Sequence, residues 1–148
     1  MFDTVLIAGL GLMGGSMAKT IKARTLSRVL GWNRTRATAE QALADGSIDA
    51  IATEALYKEA DLVIIGLYPQ ATVDWLLENM PKMKKGCVIV DMVGVKQFMV
   101  DHLEQAALDA GVHYVGGHPM AGREFSGLDF ALPTLFDGAS MIFVPTKS

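Results

Sequence analysis

Six short runs rich in Val, Ile and Leu punctuate the chain, at residues 4–10, 28–33, 61–67, 87–93, 112–117 and 140–145. Several lack the polar alternation of a half-solvated strand, which suits strands buried on both faces of a parallel sheet. Between them apolar residues recur at helical spacing. Met13, Met17 and Ile21 form one such stripe, Val73, Leu76, Leu77 and Met80 a second, and Met99, Leu103, Ala106 and Ala110 a third. Gly111 stands where a helix-terminating glycine is expected. Residues 46–60 carry a weaker pattern, read as a short strand or turn near residues 48–52 followed by a short helix. Strand and helix in alternation predict an α/β, doubly wound, mainly parallel sheet with helices on both faces.

Residues 119–138 break that rhythm, with two prolines, three glycines and no clear period. A loop of this length in a compact domain is usually functional or poorly ordered. The 148 residues suit one domain, 1–148, and 51% apolar against 20% charged residues is a core-forming composition rather than a disordered one. The longest strongly apolar stretch, 62–68, is too short to span a bilayer. Met1 leads straight into the first strand-like run with no leader-like segment, so a cytoplasmic protein is expected. Thirteen basic and sixteen acidic residues give a net charge of −3, so no nucleic-acid partner is expected. A single cysteine excludes an internal disulfide and a cysteine-rich zinc site, and no His spacing suggests a metal.

The first run ends in Gly9-Leu10-Gly11-Leu12-Met13-Gly14, followed by Gly15 and Ser16. This is G-x-G-x-x-G between a strand and an amphipathic helix. Gly9 permits the tight turn, Gly11 lets the backbone approach a pyrophosphate, and Gly14 lets the helix pack on the strand. The helix N-terminus then presents free N–H groups to the phosphates. The context therefore predicts a Rossmann-type dinucleotide site. An NAD site usually places an acid about 20 residues beyond the glycines, on the ribose 2′-hydroxyl. Asn33 holds that position, followed by Arg34, Thr35 and Arg36. Asn removes the carboxylate that would repel a 2′-phosphate, Arg34 can pair with that phosphate or stack on adenine, and Thr35 can donate a hydroxyl bond. NADP is therefore expected over NAD, with NAD possible. The competing role for Thr35 is a cap on the next helix.

The second cluster runs Gly116-Gly117-His118-Pro119-Met120-Ala121-Gly122-Arg123-Glu124, then Ser126-Gly127. It starts at the end of a predicted parallel strand, where ligands of open α/β sheets bind. A neutral imidazole with a reference pKa of ~6.5 can take a proton at physiological pH. His118 is a base or a structural residue closing a turn, and the residues alone leave both open.

These residues, with Asp91-Met92-Val93-Gly94-Val95-Lys96, resemble prephenate and arogenate dehydrogenases. The likeness covers the whole chain but only that family's N-terminal dinucleotide domain. It implies NAD(P)-dependent oxidative decarboxylation of prephenate to 4-hydroxyphenylpyruvate on the route to tyrosine, or the same reaction on arogenate. It implies His118 as the catalytic histidine, and Gly94, Lys96, Arg123, Glu124 and Ser126 as candidates near the substrate. Leu67-Tyr68-Pro69, preceded by Gly66, resembles the wall beside the cofactor. Gly94 departs from the pattern, because the family often has a serine there that helps hold the histidine and the substrate hydroxyl. The resemblance also implies a C-terminal helical domain that builds a homodimer and contacts the substrate carboxylates. Nothing in the chain matches that domain. The alternative function is a dinucleotide-binding or regulatory module without turnover of its own.

Overall fold

A computed structural model of the chain describes residues 2–122 and 125–148. In chain order these form β1 Thr4–Ala8, α1 Leu12–Arg24, β2 Arg28–Trp32, α2 Arg36–Ala44, β3 Ala50–Ile51, α3 Glu54–Tyr57, β4 Leu62–Ile65 and α4 Pro69–Asn79. They continue with β5 Val88–Asp91, α5 Lys96–Ala110, β6 His113–Pro119 and β7 Met141–Pro145. The strands make one sheet in the order β3-β2-β1-β4-β5-β6-β7. All pairs are parallel except β6 with β7. The expected doubly wound, mainly parallel Rossmann-type sheet is the observed one. Its strand order reverses between β1 and β4, which opens a crevice at the carboxyl ends of the strands.

Alternate strand residues face two cores. Leu6, Leu30, Val63, Ile65 and Ile89 pack with Tyr57 of α3, Val73, Trp75 and Leu76 of α4, and Met99 and Leu103 of α5. Val5, Ile7, Val29 and Ile64 pack on the opposite face with Ala18 of α1 and Ala39 and Ala42 of α2. Right-handed crossovers account for the division: connections running outward from β1 toward β3 lie on one face, and those returning toward β6 lie on the other. Trp75 is buried with its ring 5.6 Å from that of Trp32 and 5.5 Å from that of Tyr57. Cys87 is buried just before β5, and burial pushes its thiol up to about 12.

Three expectations need correction. The buried side of α1 is Gly14, Gly15, Ser16 and Ala18, while the Met13–Met17–Ile21 stripe is only half-buried, because small residues let the helix sit close to the sheet. In the second stripe Leu77 is exposed and Trp75 takes the inward place. The fifth run does not stop at residue 117: β6 continues through His118 and Pro119 because antiparallel β7 supplies partners, with His118 opposite Ile142.

The aperiodic segment is held down at many points. Leu128 and Ala131 join the α1-side core. The Leu132 N–H donates to Ser16 Oγ at 3.0 Å, Thr20 donates to the Pro133 carbonyl at 3.1 Å, and Gln41 donates to Asp129 at 2.6 Å. Arg24 pairs with Asp137. Residues 125–139 therefore run as a strap across α1, and bring Ser126 to the mouth of the crevice.

Candidate functional site

The glycine turn separates into two kinds of glycine. Gly9 has φ +92°, and a Cβ there would lie 2.7 Å from the Gly66 carbonyl oxygen. A Cβ at Gly14 would lie 1.7 Å from the Gly9 oxygen. The protein itself demands both. A Cβ at Gly11 would meet no described atom within 4 Å. Nothing in the fold requires glycine at that point, and the space its missing side chain leaves opens to the crevice. Such a cradle fits a pyrophosphate brought against the backbone. Gly11 is also the N-cap of α1, whose first turn holds no acid, so its positive dipole end is unneutralised.

At the end of β2, the Asn33 side chain spans two loops. Its Oδ1 accepts from the Leu10 N–H at 2.9 Å and its Nδ2 donates to the Thr35 carbonyl at 3.0 Å. Asn33 thus fastens the β2–α2 connection to the glycine turn, a role its position in the chain does not reveal. Arg34 is exposed at the crevice and makes no ion pair among the described residues. Thr35 occupies the N-cap of α2, but its side chain makes no capping bond.

The crevice has a volume of about 820 Å³. Of the sequence-based candidates, Gly9, Gly11, Leu12, Met13, Asn33, Arg34, Leu67, Tyr68, Pro69, Gly94 and Ser126 line it. Leu10 and Gly14 do not: the Leu10 side chain is buried in the α1-side core and Gly14 faces Gly9. Thr35 also stands off the wall. Tyr68 is 86% exposed at the rim and covers no core. Met92, Val93 and Val95, quoted above only as part of a motif, and Phe125 also line the crevice. The rule that ligands sit at the carboxyl ends of strands would have nominated the first three, which follow β5. Arg123 and Glu124 lie outside the described residues.

His118 is half-buried beside this wall. A Cβ placed on Gly94 would stand 3.5 Å from both Cε1 and Nε2 of its ring. The ring therefore faces Gly94 across a space that a Cβ would fill in ordinary van der Waals contact, so the Cβ of a serine there would meet it without a clash. Lys96 is not free to meet a substrate: its ammonium is paired with Asp91, a fully buried carboxylate at the end of β5. Among the described residues no three His, Cys, Asp or Glu side chains gather as a metal site. No helix among them is long and apolar enough to cross a membrane.

The comparisons with known proteins agree with this geometry. The chain is 38% identical over 149 residues to prephenate dehydrogenase of Bacillus subtilis, covering 98% of this chain and 40% of that protein. The fold superposes with a TM-score of 0.89 on prephenate dehydrogenase from A. aeolicus in complex with hydroxyphenyl propionate and NAD+, at 28% identity, covering 99% of this chain and 52% of that one. For arogenate dehydrogenase from Synechocystis the TM-score is 0.86 at 26% identity, over 97% of this chain and 50% of that one. The chain thus spans about half, or less, of the proteins it matches. Residues 17–148 match the family described as prephenate dehydrogenase, nucleotide-binding domain, and it is to this family that the chain belongs.

Proposed function

We propose that this chain is the dinucleotide-binding, histidine-bearing domain of a prephenate dehydrogenase, with NADP preferred to NAD. The observation that carries the reading is that the His118 ring faces Gly94, which lines a crevice whose glycine turn fits a pyrophosphate. Bound NAD(P) supplies the hydride acceptor. The residues of the chain do the rest. The α1 N-terminus and Gly11 hold the phosphates, and Arg34 meets the 2′-phosphate. His118 accepts the proton of the substrate 4-hydroxyl as that carbon is oxidised, and the ring becomes aromatic with loss of carbon dioxide. The products are 4-hydroxyphenylpyruvate, carbon dioxide and the reduced dinucleotide. Gly94, Ser126, Arg123 and Glu124 shape the substrate side in this reading. The full-length protein is a cytoplasmic homodimer whose helical domain supplies the remaining substrate contacts.

The test is His118→Asn in the full-length protein, assayed with prephenate. Asn keeps a hydrogen-bonding group but loses the base. The expected fall in kcat is ~10²–10⁴-fold, the usual worth of general-base assistance. NADP affinity should hardly change, since the phosphates sit on the distant glycine turn. A folded variant with unaltered kcat would remove His118 from the mechanism. Arogenate as the substrate is the second reading, favoured by the likeness to the Synechocystis enzyme. Parallel assays with both substrates separate the two.

A further inference from the structure

The strands β5 and β6 pair in parallel from Val88 opposite His113 to Val90 opposite Val115, and the register ends there. Past that point the Gly117 N–H points at a side chain instead of a strand carbonyl. It donates to Asp91 Oδ1 at 3.1 Å. The same oxygen accepts from the Lys96 ammonium and, at 3.4 Å, from the Val93 N–H. The other oxygen accepts from the Tyr114 hydroxyl. Asp91 and Tyr114 are both fully buried. The approach leaves no room for alternatives. A Cβ on Gly117 would stand 2.4 Å from the Asp91 carbonyl oxygen, and one on Gly116 would stand 2.9 Å from Lys96 Cδ.

This cluster is not what packing alone would choose. Lys96 is the first residue of α5, where a positive charge opposes the helix dipole. A buried carboxylate is costly unless every lone pair is met, and a buried ion pair is weak evidence for stability. Local rules broken together in this way mark a site kept for what it holds. Burial, reinforced by the bond to Asp91, pushes the Tyr114 hydroxyl well above its ordinary value, so it stays a donor throughout the working range.

We propose that Asp91, Lys96 and Tyr114 are positioning residues that clamp the end of β6 at Gly117, so that the next residue, His118, keeps its ring facing Gly94 at the crevice. Asp91 takes the place of the ladder acceptor that β5 no longer offers. The proposal rests on the role given to His118 above.

Tyr114→Phe is the decisive variant, since it keeps the ring and deletes one donor. Lys96→Gln reads the same clamp should Tyr114→Phe fail to fold, and Lys96→Arg is the conservative rescue. In the isotopically labelled 148-residue chain, the exchange rate of the Gly117 amide should rise about tenfold, the effect of losing one hydrogen bond to a charged group. The His118 ring signals should shift or broaden while those of His102, on the outer face of α5, stay in place. Lys96→Gln should move both in the same way, whereas Lys96→Arg should leave both as in the parent. In the full-length enzyme kcat should fall about tenfold with KM for the dinucleotide unchanged. A folded Tyr114→Phe with parental Gly117 exchange and His118 signals overturns the clamp. So does an active enzyme whose ring signals move while kcat does not. Absence of turnover in the parent would count against the proposed reaction, and the exchange and ring measurements would still decide the clamp.

Discussion

At the scale of single residues, what a position does depends on how much of its environment is local. Gly9, at φ +92°, was legible because its reason is backbone chirality and a tight turn. Gly11 was legible only through the ligand it implies. Asn33 was half-legible: the missing acid can be read along the chain, but its bonds to Leu10 and Thr35 depend on two loops meeting in space. That meeting changes the best test of cofactor preference. Asn33→Asp would keep the acceptor for Leu10 yet set a carboxylate against the Thr35 carbonyl, so it would perturb the turn as well as the charge. Arg34→Ala is cleaner, because Arg34 is exposed and unpaired among the described residues. Titration calorimetry should show NADP binding weakened about tenfold or more, the worth of a charge-assisted bond to phosphate, with NAD nearly unaffected. Equal affinities of the parent chain for the two dinucleotides would remove the preference.

At the scale of elements, the long strands and helices were legible from period, the short β3 and α3 were legible from the weaker pattern in residues 46–60, and the inward faces of the small-residue helices were not. Helix α2 buries only Ala39 and Ala42, which leaves almost no hydrophobic signal. Helix α1 buries glycine, serine and alanine most deeply, and of its visible stripe Met17 and Ile21 flank the core half-buried, so the stripe marked the edge of the inward face and not its centre. The entry to β4 carries a testable pH dependence. Asp61 accepts from Lys84 and from the Thr4 N–H, the latter at 2.9 Å, and so ties the starts of β4 and β1 together. The Lys84 hydrogen bond first, and the Thr4 bond next, hold its carboxyl below the usual carboxylate range. A depressed folded-state value means the stabilisation is present above about pH 4, the unfolded reference, and is lost as pH falls through the folded value. The pair is partly exposed, so Asp61→Asn should cost at most about 1 kcal/mol, or ~2–4 °C in Tm near neutrality. Melting scans from pH 7 to pH 2.5 should show the gap closing in acid. A gap of constant size would mean that the effect is not ionic.

At the scale of the whole molecule, the crossovers leave one quadrant of the sheet without a helix. Helices α1 and α2 cover β1 to β3 on their face, and the strap from 125 to 139 covers only part of the remainder. A cavity of about 550 Å³ results, floored by Leu62, Ile64, Val88, Val90 and Val115 and edged by Phe2, Phe136 and Phe143. Parallel strands are ordinarily covered on both faces. An apolar opening of this kind favours contact with other protein surface. The purified 148-residue chain should therefore bind dinucleotide, show little turnover, and associate weakly as its concentration rises. Light scattering across a dilution series checks the association, and Phe143→Lys should diminish it. Robust turnover by the 148 residues alone would overturn the view that the substrate side is completed elsewhere.

The chain by itself determined the alternation of strand and helix, the order of the elements and the glycine turn. Each of these follows from spacing within a few residues and from the steric limits of the backbone. It also carried the family motif around His118. Only the tertiary structure decided what surrounds those motifs. The 119–138 segment reads as aperiodic because its anchors, Ser16, Thr20, Arg24 and Gln41, lie 88 to 116 residues earlier on α1 and α2. Lys96 reads as a substrate candidate until it is seen paired with buried Asp91, whose other oxygen accepts from Tyr114. The physical reason is the same in both cases. Burial and hydrogen bonding between distant segments depend on where the sheet brings strand ends together, and no periodicity along the chain encodes that meeting.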